Sequence, residues 1–237
     1  MISPSSAHAL DAIARRQQDL RAAFTPGAGA APDVLRPAHS HFTSDPLSAA
    51  APPGAFFIGT DERGRQTYTR DGVFHLIDNV LVDRFDRPVM AIEKATGALV
   101  PLRVDGVDVA LGRTADLQIS ADGSVSYGRT SIDPRTGANE QTRVVAGRLA
   151  LARFSAATQL QPLDASRCLA PPNVAPHTGV AGDGNFGPIA PHQEEDSRVD
   201  FDLGIERLQE AYLAFDALRA AHSAQGKVEK TAMDLLK

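Results

Sequence analysis

The chain carries one cysteine, Cys168, and no tryptophan among its 237 residues. A lone cysteine excludes an internal disulfide and any multi-cysteine metal or iron–sulfur site, and it says nothing about compartment. There is no excess of positive charge: 24 Lys and Arg stand against 29 Asp and Glu, a net charge of -5, with the basic residues scattered. No basic stripe is therefore available to neutralise phosphates or grip an anionic membrane, and nucleic acid is not an expected partner. No stretch approaches the run of about 20 apolar residues that spans a bilayer. The N-terminus, MISPSSAHALDAIARRQQDL, lacks the basic start, apolar run and small-residue cleavage site of a secretory signal. Classical export with a cleaved leader is not expected, which leaves room for a machine that reads a different signal.

What is present is enough apolar content, 43%, for a real core. Proline divides the chain, since 11 of the 16 prolines fall in residues 26–53 and 169–193. Both segments are rich in Pro, Gly and Ala with little apolar periodicity, and they read as linkers. The expected layout is an N-terminal helix in 1–25, a flexible linker 26–53, a β domain 54–168, a Pro/Gly linker 169–196 and a C-terminal helix 197–237. The fold class is mainly β: one compact antiparallel β domain flanked by terminal helices.

In the first block Leu10, Ile13, Gln17, Leu20 and Phe24 recur at steps of three and four, which predicts a helix over 6–24 with one narrow apolar seam, closed by Thr25-Pro26-Gly27. The last block opens EEDSRVDFD, where Ser197 is placed to cap a helix and Asp200 to reach back to it. Ile205, Leu208, Tyr212, Phe215, Leu218 or Arg219, and His222 continue a seam at steps of three and four, and only Gly204 and Gly226 interrupt a rod of roughly 55 Å. Such a helix has no core of its own along most of its length and needs a partner. Between the linkers, short segments such as AFFIGT, QTYTR, VFHLI and NVLVD are separated by DERG, DG, ATG, ADG and RTGAN, the punctuation of hairpins.

Several groupings suggest chemistry and each has a plainer explanation. His39, His41 and Asp45 have metal-ligand character but sit in a linker, where ordering entropy would fall on the metal alone. Gly182-Asp183-Gly184-Asn185-Phe186-Gly187 resembles a phosphate loop, yet no buried strand precedes it and a proline follows where a helix should open. Ser124, His75 and Asp71 make a triad only on paper, because Ser124 lies in the hairpin corner ADGSVSYG without a strained nucleophile turn. Cys168 has only Arg167 beside it and no array to activate it. In QTYTRDGVFHL, Arg70 with Tyr68 offers an anion site. Turn chemistry instead puts Asp71-Gly72 in a hairpin corner, Tyr68 and Phe74 inward and Arg70 on the rim, paired with a carboxylate or carbonyl. No catalytic, cofactor-binding or metal set is expected, and the chain reads as non-enzymatic.

The order of helix, TPG, linker, Gly54-Ala55-Phe56-Phe57, then Tyr68-Thr69-Arg70-Asp71-Gly72-Val73-Phe74, β domain and long helix resembles the bacterial flagellar axial proteins, specifically the basal-body rod proteins related to hook protein. DLQISADGSVS at 116–126, the stretch 144–169 and AHSAQGKVEKTAMDLL at 221–236 extend the resemblance over most of the chain. Gln18 to Phe24 stand where the family is asparagine-rich, Asp78-Asn79 and Asp86-Arg87 replace turn glycines, and His222 replaces a tyrosine, so the resemblance is to a divergent member. It implies a structural subunit of the rod that spans the periplasm, exported unfolded by the flagellar type III apparatus without a cleaved signal. Its terminal helices would pair as a coiled coil, with further copies and other rod or hook proteins as partners. Leu10, Ile13, Leu20 and Phe24 would then face Ile205, Leu208, Tyr212 and Phe215 in an assembly interface. Phe56, Phe57, Tyr68, Arg70, Asp71, Gly72 and Phe74 would be the β-domain signature. The competing reading is a non-enzymatic β-domain binding module on a helical dimerisation stalk, with Arg70 and Tyr68 at its ligand site.

Overall fold

The computed structural model describes residues 4–22, 39–105, 116–132, 139–155, 158–164, 166–198 and 200–235. The described chain is mainly β with one helix at each end. It falls into two units: a helical one holding 4–22 and 198–235, and a β one holding 39–197.

The β unit is organised by a six-stranded antiparallel sheet whose spatial order is Gln161–Pro162, Arg167–Leu169, Gln66–Thr69, Ala55–Thr60, Leu151–Arg153, His177–Gly179. Successive side chains of a strand point to opposite faces, and here both faces are covered. On one side Ala55, Phe57, Leu149 and Leu151 join Phe74, Leu81, Leu102, Val125 and Ile189 in the larger apolar cluster. On the other, Ile58, Ala150 and Ala152 pack with Tyr68 and Met90, flanked by Phe56 and Phe154. This is why AFFIGT is nearly all apolar rather than alternating: a strand buried on both faces has no solvent side to mark.

Smaller elements close over the larger cluster. Phe74–Ile77 and Val80–Asp83 form a two-residue hairpin at Asp78-Asn79, both left-handed with φ 50° and 62°. Asp and Asn tolerate that conformation because their short polar side chains bond locally, so a tight primed turn forms here without glycine. Met90–Ile92 pairs with Leu99–Pro101, and Gln118–Ile119, Ser124–Ile132 and Asn139–Arg148 make a three-stranded sheet. The turns expected at DERG, ATG and ADG are present, with Gly64, Gly97 and Gly123 at positive φ. The expected RTGAN turn lies largely outside the described residues.

The two proline-rich segments depart from the expected linkers. In the first, residues 23–38, among them Phe24 and the expected helix stop Thr25-Pro26-Gly27, lie outside the described residues. The remainder is folded: Ser40–Phe42 pairs with Gln193–Glu195, and Ala49–Ala50 with Ala190–Pro191. The second segment also supplies His177–Gly179 to the main sheet and buries Ala181, Phe186 and Ile189 in the larger cluster. Isolated apolar residues between prolines, too sparse for any period, are held here by strands far away in sequence.

In the helical unit, α1 runs Pro4–Ala22 and α2 runs Phe201–Leu235, 35 residues. Pro4 in the first turn suits its fixed φ. The start of α2 corrects the expected Ser197 cap: Leu203 N–H donates to Asp200 Oδ1 at 3.1 Å, making Asp200 the cap. Ser197 is buried in the β unit, and Asp196 N–H still donates to His39 O, so the chain has not yet left the strands at that point.

Candidate functional site

Two places collect the residues the sequence singles out. The first is the seam of the helical unit. Ile13 is buried, and Leu20, Ile205, Leu208 and Phe215 are half-buried. Gly204 is buried against Leu20, where an added Cβ would lie 2.8 Å from Leu20 Cδ2, so the absence of a side chain lets the helices approach. Eight residues further along α2, Tyr212 Oη accepts from Gln17 Nε2 at 3.0 Å. The seam is only partly covered. Leu10 and Tyr212 remain exposed, and Leu213, which has no place in the expected seam, is 70% exposed. From Arg219 to Lys227 every residue of α2 is exposed.

The second place is the Tyr68 to Phe74 segment in the β unit, and it overturns the expected hairpin. Gln66–Thr69 pairs with Ala55–Thr60 and Arg167–Leu169, whereas among the described residues Phe74–Ile77 pairs only with Val80–Asp83. Arg70-Asp71-Gly72 is therefore a crossing from the main sheet to a separate hairpin. Tyr68 and Phe74 are both buried, in different clusters: Tyr68 stands edge-on to Phe154 at 4.8 Å and Phe74 edge-on to Phe57 at 5.1 Å. Side chains of the crossing bond to the backbone in place of a turn. Thr69 Oγ1 accepts from Asp71 N–H, and Asp71 Oδ1 accepts from Val73 N–H. Gly72 is not left-handed. It passes so close to Ala49 that a Cβ would sit 1.7 Å from Ala49 O, while Ala49 N–H donates to Gly72 O.

The Asp71 carboxylate is buried, with Arg84 Nε donating to Oδ2 at 3.1 Å. Burial pushes its pKa up to about 6, against the lowering effects of Arg84 and the Val73 N–H. Asp83, close by, is raised in the same direction by burial. Arg70 is not on the rim. Its side chain is 13% exposed, and its partner Glu195 is 4% exposed. Arg70 Nε donates to both Glu195 oxygens at 2.9 and 2.7 Å, and Nη2 donates to Oε2 as well. Nη1 donates to Ala55 O at 2.6 Å and Pro52 O at 3.3 Å, Nη2 reaches Ala51 O, and the guanidinium lies 5.9 Å from the Phe56 ring centre. This fork geometry suits Arg and not Lys. Sequence reasoning missed Glu195 because it stands 125 residues from Arg70, in a segment read as the acidic entry to a helix.

The other groupings are not brought together. Ser124 Oγ donates to Asp122, His75 Nε2 lies 2.8 Å from Asp86 Oδ1, and Asp71 holds Arg84, so no triad forms. His41 Nδ1 lies 2.8 Å from Asp196 Oδ1, while Asp45 Oδ1 accepts from Leu47 N–H. In the glycine-rich loop Asp183 Oδ1 accepts from Asn185 and Phe186 N–H, and Phe186 is buried. These bonds turn the loop on itself and seat an apolar anchor. Cys168 is half-buried at the end of a main-sheet pair, and burial, with Asp164 nearby, pushes its thiol up to about 11.

No protein-family model matches the chain, and no curated protein matches it.

Proposed function

We propose that this protein is a non-catalytic structural subunit of the bacterial flagellar basal-body rod that self-assembles through its terminal helices, paired as a coiled coil. One observation carries the reading: α2, with 35 residues, is about 52 Å long at 1.5 Å per residue, and α1, with 19, is about 28 Å. Roughly half of α2 extends past anything α1 can cover, and on the half within its reach Tyr212 and Leu213 still stand exposed. A long helix with exposed apolar residues and no core of its own is stabilised by packing against further copies rather than by intrinsic propensity. The resemblance of the Phe56 to Phe74 region and of residues 221–236 to rod proteins supplies the kind of assembly. The rod would place the protein in the basal body, with other rod or hook proteins and the flagellar export apparatus as partners.

The binding-module alternative gains nothing from the geometry. Arg70 is occupied by Glu195 and three carbonyls, and Tyr68 is buried with its hydroxyl donating to Gln66. Burying each seam side chain contributes about 1.5 to 3 kcal/mol, so placing charges at two of them outweighs a marginal helix contact. The variant Leu208→Asp/Phe215→Asp is expected to abolish assembly, followed by sedimentation and electron microscopy, while near-ultraviolet circular dichroism of the β unit is retained. A double variant that still polymerises refutes the interface. Electron microscopy of purified basal bodies carrying a labelled chain tests the location, and a rod free of label refutes it.

A further inference from the structure

The ribbon formed by Ser40–Phe42 and Gln193–Glu195 is made from the two stretches of chain that lead, in sequence, toward the helices. It is attached to the β unit in an unusual way. Ser40, His41 and Phe42 are all exposed, Phe42 to 81%. Gln193 and Glu194 are half-buried, and the only buried residue of the six is Glu195. Hydrophobic burial thus contributes almost nothing to holding this ribbon. The neighbouring pair Ala49–Ala50 and Ala190–Pro191 differs, because Ala49 lies in the larger apolar cluster.

Within the ribbon, Ser40 Oγ donates to Gln193 and His41 meets Asp196, but these bonds tie its strands to each other. Among the described residues two side-chain links tie it to the rest of the unit: Ser48 Oγ donates to Glu194 Oε1 at 3.0 Å, and Arg70 grips Glu195 with two nitrogens. Arg70 is itself anchored on the carbonyls of Ala51, Pro52 and Ala55 at the entrance to the central strand. Removing one member of a buried ion pair leaves the other desolvated and unpaired, a cost relieved here only if the buried group regains water.

We infer that Arg70 and Glu195 form a latch that holds this ribbon on the β unit, and that breaking the pair frees the ribbon as one piece while both apolar clusters stay folded. Local opening of this kind draws on elements with few buried apolar contacts. A freed ribbon of three residues a side does not keep its own pairing in water, so its amides exchange once it leaves. The latch is a property of the β unit and holds whatever the protein assembles into.

The test is hydrogen exchange on the full chain, read by NMR or by mass spectrometry of short overlapping peptides, for wild type, Glu195→Gln, Arg70→Lys and Arg84→Gln. Thr43 N–H, which donates to His192 O, and Asp196 N–H, which donates to His39 O, report the ribbon. Leu81 N–H and Leu149 N–H, donating to Leu102 O and Gly123 O, report the core. Glu195→Gln and Arg70→Lys are expected to speed the ribbon amides at least tenfold and leave the core amides unchanged. Arg84→Gln, which removes a different ion pair, is expected to leave the ribbon at its wild-type rate. Three results overturn the latch: ribbon amides unmoved in both pair variants, core amides rising by the same factor, or equal opening in Arg84→Gln. Failure of both pair variants to fold also overturns it, since the pair would then support the whole unit.

Discussion

Replacing Asp71 with Asn gives a stability change whose size depends on pH. The folded chain holds the Asp71 carboxyl at about 6, against an ordinary 3.8, and the first cause is burial. A shift of that size corresponds to about 3 kcal/mol of preference for the neutral form in the fold. Above pH 7 the group is ionised in both states, so the folded state bears the cost of a buried charge. As pH falls through 6 the folded state takes up a proton that the unfolded chain does not, and the contribution to stability rises, levelling off below about pH 4. Between pH 7 and pH 5 the linkage relation makes this gain about 1 kcal/mol. Asn keeps an oxygen to accept from Val73 N–H and leaves Arg84, whose side chain is 40% exposed, free to turn to water. Urea unfolding of the full chain at both pH values, followed by near-ultraviolet circular dichroism of the buried Tyr68 and Tyr127, measures the effect. The wild-type protein is expected to gain stability relative to Asp71→Asn on going from pH 7 to pH 5. Differencing the two proteins removes most of the contribution of other titrating groups. A difference that is flat with pH, or that moves toward the variant between pH 7 and pH 5, refutes the assignment.

Two further outcomes follow from the same region. Gly72→Ala sets a methyl group 1.7 Å from Ala49 O, backbone that cannot yield without moving the crossing. It is expected to destabilise the β unit by more than about 3 kcal/mol, measured as a lowered urea midpoint, and a near-wild-type midpoint would contradict the close approach. Cys168, with its thiol pushed up to about 11, is expected to alkylate with iodoacetamide at pH 8 at least about a hundredfold more slowly in the folded protein than in urea. Rapid labelling of the folded chain would show that the thiol is not held in the sheet.

Much of the local structure was legible. The apolar run AFFIGT is a central strand, Asp-Glu-Arg-Gly and Ala-Thr-Gly mark turns with Gly64 and Gly97 left-handed, and both terminal helices lie within a few residues of their seams. Arg70-Asp71-Gly72 misled because Asp-Gly is a hairpin signal only when its flanking strands pair with each other. Here one flank is occupied on both edges by Ala55–Thr60 and Arg167–Leu169. The glycine answers a different need, the passage of one backbone against another. Residues 169–196 misled for a related reason. Phe186 and Ile189 stand alone between Gly and Pro, with no period to signal burial, and they are buried by strands distant in sequence.

By itself the sequence determined what depends on neighbours a few residues away: strand and helix periodicity, the left-handed turn positions, and a C-terminal helix much longer than the N-terminal one. Only the tertiary structure decided that the two proline-rich segments pair with each other, that the cap of α2 is Asp200, and that Arg70 belongs to Glu195. A turn or an amphipathic face is encoded in local geometry and side-chain chemistry. The partner of a buried charge is set by which distant segment can bring a carboxylate to five fixed N–H donors, and no local pattern specifies that.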